Sequence, residues 1–178
     1  ADVLQVAIAD VAEIVEPSSS IDKEALSRGT SIYFPKRVIP MLPEEISNNL
    51  CSLIPNEDRN VLVCKMNFTQ EGEINSYDFS ECIINSHKRF TYNEVEFLKQ
   101  NKDTNLSADI LNSINALEKL TKQLLHNRSK RYALEIESSE PTLSFGNEGN
   151  ISEIFIPKRL FAHQMIEEAM ISANICAA

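Results

Sequence analysis

The stretch at residues 33–55 reads YFPKRVIPMLPEEISNNLCSLIP and holds four of the chain's seven prolines within 23 residues. Each proline fixes its own φ angle, removes a backbone donor and favours extended geometry at the preceding residue. Large apolar side chains alternate with the prolines, which is not the composition of a flexible linker. We therefore predict a rigid segment that shapes a site, with one short helix that opens at Pro43 and closes at Asn48 and Asn49.

Length and composition indicate one globular domain. The chain has 178 residues, of which 43% are hydrophobic and 24% charged, and a chain of this size buries roughly 70% of its unfolded surface. Its formal net charge is -9. This charge argues against a broad polyanion-binding surface, because nonspecific nucleic-acid affinity rises with the number of phosphates that meet Lys or Arg. Any nucleic-acid contact must be local, where short basic pairs such as Lys36 and Arg37 converge with others.

The cysteines and the hydropathy pattern bear on the compartment. Cys51, Cys64, Cys82 and Cys176 lie far apart in apolar runs and form no CxxC or Cys/His ligand pattern. We predict buried thiols in a reducing compartment. No apolar run approaches the roughly 18 residues of a membrane span, and no secretory leader is evident. The sequence thus favours a cytoplasmic protein that does not contact a membrane.

Periodicity and turn signals predict an α+β fold with a mixed, mainly antiparallel sheet and helices packed against it. Residues 61–68 and 74–89 read as an antiparallel pair with a hairpin at Gly72, residues 142–156 as a second hairpin, and residues 3–15 as a strand interrupted at Asp10. Residues 133–137 also alternate like a strand. The predicted helices cover residues 23–28 (capped by Asp22 and ended by Gly29), 92–99 (capped by Thr91), 108–131 (capped by Ser107) and 159–178.

Four ordered blocks carry a family resemblance. They are VAIADV at residues 6–11, YFPKRVIPMLP followed by ISNNLCSL at 33–53, TYNEV at 91–95, and AHQMIEEAMISANICAA at 162–178. In this order they resemble the catalytic (RNB) domain of the ribonuclease II and ribonuclease R family of 3'-to-5' exoribonucleases. Because the sequence opens at a strand and stops inside a helical pattern, we expect residues 1–178 to be part of an RNB domain, truncated at both ends.

The resemblance implies a segment of an enzyme that hydrolyses single-stranded RNA to nucleoside 5'-monophosphates with Mg²⁺. In the family, the aspartate cluster that binds the metal lies just upstream of the VAIADV block, and an assisting arginine lies well downstream of the ANICAA block. We therefore expect no catalytic residue and no metal ligand in this chain, and an isolated segment without activity. The resemblance also implies flanking nucleic-acid-binding domains in the parent protein.

The acidic residues of this chain do not suggest a substitute metal site. Such a site needs several carboxylates that converge on the ion. Asp10, Glu13 and Glu16 are spaced three apart, whereas Glu167 and Glu168 are neighbours whose side chains we expect to diverge. Asp10 matches a family position beside the metal site, but a structural role is favoured for a single carboxylate.

The resemblance implies that four residues hold RNA: Tyr33, Tyr92, Glu167 and Arg37. Tyr33 matches a tyrosine that packs on a base near the 3' end, and such stacking tolerates any sequence. Tyr92 and Glu167 match a pair that favours ribose over deoxyribose, since a phenol and a carboxylate can both hydrogen-bond a 2'-hydroxyl. For Arg37 and His163, phosphate contact and structural support both stay open. Without the resemblance, Tyr33 would read as a core residue, Tyr92 as a helix-start aromatic and Glu167 as a solvated charge.

Ile136, in RYALEIES, stands where the family carries a phenylalanine that sandwiches the terminal base. Isoleucine offers apolar contact without a π face, so the clamp is weaker, unless the correspondence shifts by a few residues after the variable region 99–131. A rival hypothesis from another class is a non-catalytic RNA-binding or scaffolding module with an RNB-like fold. The residues of this chain alone support that module equally well.

Overall fold

The computed structural model describes residues 2–100, 106–131, 141–146 and 150–178. The predicted α+β architecture is confirmed, and every strand pair within these ranges is antiparallel. The elements in chain order are β1 (Asp2–Ala9), α1 (Ser20–Arg28), β2 (Ile32–Phe34), β3 (Arg37–Ile39), a π-type helical turn (Glu45–Leu50), β4 (Asp58–Phe68), β5 (Ile74–Asn85), α2 (Tyr92–Gln100), α3 (Ala108–Lys130), β6 (Thr142–Phe145), β7 (Ile151–Phe155) and α4 (Phe161–Ala177).

A three-stranded sheet forms the centre, with β4 between β1 and β5. Its register pairs Val6 with Cys64 and Cys64 with Phe79, so these three side chains share one face. That face packs against α3 and α4, and each large apolar side chain buried there stabilises the fold by roughly 1.5–3 kcal/mol. The buried cluster consists of Cys64, Met66, Phe68, Leu120, Ala173 and Cys176.

The predicted hairpin between β4 and β5 is confirmed, and its tip is fixed against α3. Gly72 takes a positive φ of 79°, which glycine adopts without a steric penalty. Gln123 Nε2 donates to the carbonyl of Gln70 at 2.9 Å, and Asn127 Nδ2 donates to the carbonyl of Glu71 at 2.7 Å. A Cβ atom on Gly72 would lie 3.0 Å from Cβ of Gln123. Close approach of the turn to α3 therefore requires glycine here.

The helix starts follow local polar signals. Thr91 Oγ1 accepts from the Glu94 backbone at 3.2 Å while Glu94 Oε2 accepts from the Thr91 backbone at 2.6 Å, which is a capping box at the start of α2. Ser107 caps α3 as predicted, accepting from the backbone of Ile110. These two caps fix where α2 and α3 begin.

Several of the sequence predictions were wrong in detail. The first strand ends at Ala9 and does not continue beyond Asp10 to residue 15. Helix α1 starts earlier than expected, because its N-cap is Ser19; Asp22 lies inside the first turn and accepts from the backbone of Ser18 at 2.7 Å. The four cysteines are free, but only Cys64 and Cys176 are buried. Cys82 is exposed, and it pairs with Val61, so its side chain lies on the sheet face opposite to Cys64. The predicted strand at residues 133–137, and residues 147–149 of the second hairpin, lie outside the described residues.

The proline-rich stretch forms a short β2–β3 hairpin followed by the π-type turn, which confirms the short helix predicted after Pro43. Cys51 donates its backbone N–H to Ile46 at 2.8 Å, the wide spacing of a π-type turn. The hairpin pairs Tyr33 with Val38. None of the helices in the described ranges is long and apolar enough to cross a membrane.

Candidate functional site

The first turns of α2 and α4 meet at a ring stack. The Tyr92 and His163 rings have centroids 3.9 Å apart and planes inclined by 23°. His163 Nδ1 also accepts from the backbone N–H of Leu160 at 3.1 Å, which satisfies one of the free donors at the start of α4. This hydrogen bond leaves the proton of the neutral imidazole on Nε2. His163 thus supports both the helix start and the ring of Tyr92.

Glu167 lies one helical turn after His163, and residues at that spacing are neighbours on a helix face. Its Oε1 accepts from Arg128 Nη1 at 3.1 Å, and its Oε2 accepts from Arg159 Nη2. Burial disfavours the charge on Glu167, but the hydrogen bonds from Arg128 and Arg159 outweigh it and hold the pKa of this carboxyl below its ordinary value. Glu167 is therefore an ionised acceptor whose two oxygens are held from two sides.

Glu168, the next residue, is buried with 4% of its surface exposed. Its Oε1 accepts from the same Arg128 Nη1, at 2.8 Å. Hydrogen bonds to Glu168 and then to Glu167 raise the pKa of the Arg128 guanidinium. The prediction that the two glutamates diverge was wrong, because one guanidinium from the end of α3 reaches both. We call Arg128, Arg159, Glu167 and Glu168 the α4 ion cluster.

The β2–β3 hairpin carries the other two predicted residues. Tyr33 is 77% exposed, so its ring is not a core residue. Arg37 is also exposed and pairs directly with Phe34, while Tyr33 pairs with Val38. Directly paired residues share a face of the ribbon, so Tyr33 and Arg37 lie on opposite faces.

The structure thus brings Tyr92 and His163 into contact, with Glu167 one helical turn further along α4, whereas Tyr33 and Arg37 belong to a separate two-stranded sheet. A contact of the hairpin with another element is made by Lys36, whose Nζ lies 4.1 Å from the centroid of the Phe145 ring. Ile136 lies outside the described residues.

Sequence reasoning missed the roles of Arg128, Arg159 and Glu168. The basic residues at the end of α3 had an adequate local explanation, since cations favour the negative end of a helix. Only the packing of α3 on α4 shows that Arg128 faces two carboxylates about 40 residues away. The available signal was that Glu167 and Glu168 are adjacent on a helix with apolar neighbours. A carboxylate in such a position is rarely buried without a partner, which indicates that a cation lies nearby.

The described residues do not fit a metal site. Across residues 2–100, 106–131, 141–146 and 150–178, no group of three or more His, Cys, Asp or Glu side chains could hold an ion. Asp10 donates its backbone N–H to the carbonyl of Asn60 at 3.0 Å, and Glu13 accepts from the side chain of Asn60. These contacts tie the chain at the end of β1 to β4, through the backbone of Asp10 and the side chain of Glu13.

Known proteins resemble this chain over nearly its whole length. The model of the RNB domain matches residues 3–178. The chain belongs to the RNB domain family. It is 44% identical over 178 residues to ribonuclease R of Escherichia coli strain K12, covering 98% of this chain and 22% of that protein. The RNB chain therefore spans about a fifth of the length of this curated relative.

Solved structures show the same fold. Mycoplasma genitalium ribonuclease R in complex with ribose-methylated single-stranded RNA matches with a TM-score of 0.91 and 36% identity, covering 97% of this chain and 27% of that one. Its complex with double-stranded RNA matches with a TM-score of 0.92 and 37% identity, covering 97% and 31%. The family resemblance predicted from the sequence blocks is confirmed.

Proposed function

We propose that this RNB chain is part of a cytoplasmic 3'-to-5' exoribonuclease, a hydrolase that degrades single-stranded RNA to nucleoside 5'-monophosphates with Mg²⁺. Its membership of the RNB family and its 44% identity to a ribonuclease R support the reaction class. Its four free cysteines support a reducing compartment. The resemblance of the sequence blocks to the family supports the further proposal that the hydrolytic groups and the metal ligands lie in other parts of the protein, and that this chain contributes RNA binding and is inactive by itself.

The observation that carries the proposal is the Tyr92–His163 stack one helical turn from Glu167. It brings Tyr92, at the start of α2, against His163 of α4, and the ionised Glu167 carboxylate follows one helical turn further along α4. The carboxylate has about four lone-pair directions, and the two arginines use two of them. Glu167 can therefore accept from a ribose 2'-hydroxyl, and Tyr92 can exchange a hydrogen bond with the same group.

A sugar without that hydroxyl cannot make these hydrogen bonds. A site that hydrogen-bonds a hydroxyl therefore favours the sugar that carries it over the analogue that lacks it. Ribose selection at the 3' end of RNA follows from this arrangement.

Tyr33 contributes affinity rather than sugar selection. Its ring is exposed on a hairpin that proline stiffens, so it can stack on a base without a rearrangement of the fold. Stacking of this kind is worth roughly 1–3 kcal/mol per base and tolerates every base. Arg37, on the opposite face, is assigned to phosphate contact. Single-stranded RNA is the partner, together with flanking nucleic-acid-binding domains of the parent protein.

The test uses the full-length protein and a single-stranded RNA that carries a label in every nucleotide. We expect Mg²⁺-dependent release of nucleoside 5'-monophosphates from the 3' end, and slower release from an RNA whose last nucleotides are 2'-deoxy. Glu167→Gln should reduce this preference, whereas Glu73→Gln, an exposed acid at the β4–β5 turn, should leave it unchanged. Binding of RNA without any release of mononucleotides would overturn the enzyme and support the non-catalytic RNA-binding module.

A further inference from the structure

We propose that Arg128 is a positioning residue for ribose selection: anchored by buried Glu168, it fixes the orientation of the Glu167 carboxylate. The inference rests on the proposed role of Glu167. Arg128 itself need not touch RNA. It acts through the two neighbouring glutamates of α4.

The geometry distinguishes Arg128 from the other arginine of the α4 ion cluster. The Arg128 side chain is 23% exposed and contacts both glutamates, whereas the Arg159 side chain is 46% exposed and contacts Glu167. An exposed ion pair in water is weak and salt-screened, whereas a pair withdrawn from water is screened much less. Arg128 is therefore the stronger constraint on Glu167.

The anchor gives Arg128 a fixed position. Its Nη1 lies 2.8 Å from Glu168 Oε1 and 3.1 Å from Glu167 Oε1. Because Glu168 is buried, its carboxylate requires a cation, and this requirement holds the guanidinium in place whether or not RNA is bound. Preorganised groups bind better than mobile ones because no ordering is needed when the ligand arrives.

The preceding residue of α3 also fixes the position of Arg128. Arg128 follows Asn127, whose side chain is bonded to the tip of the β4–β5 hairpin. Helix α3 therefore presents Arg128 from a support that is tied to the central sheet, while Glu167 and Glu168 come from α4. Loss of the Arg128 contacts would free the Glu167 side chain to rotate about its hydrogen bond with the more exposed Arg159.

The experiment measures the dissociation constants of the full-length protein for two RNAs in EDTA, which prevents hydrolysis. The RNAs share one sequence and differ only in a ribose or 2'-deoxyribose at the 3'-terminal nucleotides. The readout is the ratio of the two constants, deoxy over ribo, because a loss of general stability does not change that ratio. Glu167→Gln serves as the reference and should lower the ratio roughly tenfold.

The decisive variant is the double substitution Arg128→Met with Glu168→Met, since removal of both partners of a buried ion pair avoids an unpaired buried charge. It should lower the ratio roughly three- to tenfold, with affinity for the deoxy-terminated RNA within about twofold of the wild type. Arg128→Lys keeps the charge but not the planar fork and should lower the ratio about threefold. Lys119→Met, on the same helix and paired with Asp2, should leave the ratio unchanged.

An unchanged ratio in the double variant, with the ratio lowered by Glu167→Gln, overturns the role of Arg128 and leaves the proposed function intact. An unchanged ratio in Glu167→Gln overturns the proposed role of Glu167 and this inference with it. If circular dichroism shows that the double variant does not fold, Arg128→Lys decides, and a wild-type ratio in that variant counts against the inference.

Discussion

The start of α4 and the β2–β3 hairpin are the two regions to which we assign RNA binding, and they hold their side chains in different ways. At α4, each polar group is held by a partner: His163 by Leu160 and Tyr92, and Glu167 by two arginines. At the hairpin, the ring of Tyr33 is exposed, and proline geometry and strand pairing fix the backbone. A fixed hydrogen-bond acceptor suits the choice between two sugars, whereas an open ring suits any base. Under the proposed function, therefore, side-chain contacts would set the specificity for the sugar and backbone stiffness would support the affinity for RNA.

The largest expected effect is on the free energy of unfolding, and it comes from removing the Arg128 side chain of the α4 ion cluster. Arg128→Ala leaves the buried Glu168 carboxylate without its cation and should lower the free energy of unfolding by about 3 kcal/mol. Arg37→Ala, on the exposed hairpin, should change it by less than about 0.5 kcal/mol. Urea denaturation followed by circular dichroism measures both. Equal effects of the two substitutions would show that the ion cluster is not more constraining than the hairpin.

Tyr33→Ala removes the exposed ring of the β2–β3 hairpin. Loss of one stacked base should weaken RNA binding by about 2 kcal/mol, within the range for base–aromatic stacking, while stability changes little because the ring is exposed. Fluorescence anisotropy with a labelled single-stranded RNA measures the affinity. Tyr77→Ala is the matched control, since Tyr77 is an exposed tyrosine on β5. Equal losses in both variants would contradict a specific role for Tyr33.

Two substitutions of His163 separate its hydrogen bond with Leu160 from its stack on Tyr92. His163→Ala removes both the helix cap and the stack on Tyr92 and should cost about 1.5 kcal/mol of unfolding free energy. His163→Gln keeps an acceptor that suits the third helical position and should cost about half as much. Thermal unfolding compares the two. If Gln destabilises as much as Ala does, the cap contributes nothing and the stack accounts for the whole effect.

The smallest expected effect is on the pH dependence of stability, through the carboxyl group of Glu167. The pKa of Glu167 is lower in the folded state than its ordinary value, so its contribution to stability is present above the unfolded pKa and is lost as pH falls through the folded pKa. The difference in unfolding free energy between the wild type and Glu167→Gln should therefore shrink as pH is lowered through the acid range. Denaturation at a series of pH values measures it. A difference that grows toward acid would contradict the ionised state of Glu167.

Local chemistry made much of the fold predictable. The box of Thr91 and Glu94, the cap at Ser107 and the glycines at positions 29 and 72 act within a few residues, and the sequence shows each of them directly. The error at α1 has the same origin, because Ser19 and Asp22 both suit the start of a helix and only the backbone shows which one caps it.

The α4 site was less predictable, because its contacts join distant parts of the chain. Tyr92 and Glu167 were found only through the family blocks, and their physical support was not found. The stack of Tyr92 on His163 spans 71 positions of sequence, and no local pattern indicates it. A residue that supports a side chain from a distant part of the chain is harder to predict from sequence than a residue that begins a helix or a turn.

The tip of the β4–β5 hairpin has a consequence for the design of variants. Surface turns between strands normally tolerate insertions, and tags or reporter peptides are placed there for that reason. This turn is different, because Gly72 lies against Gln123 and the carbonyls beside it bind α3. An inserted residue would displace the end of α3, which carries Arg128, so a foreign peptide at this tip should alter the sugar preference that we propose for Glu167.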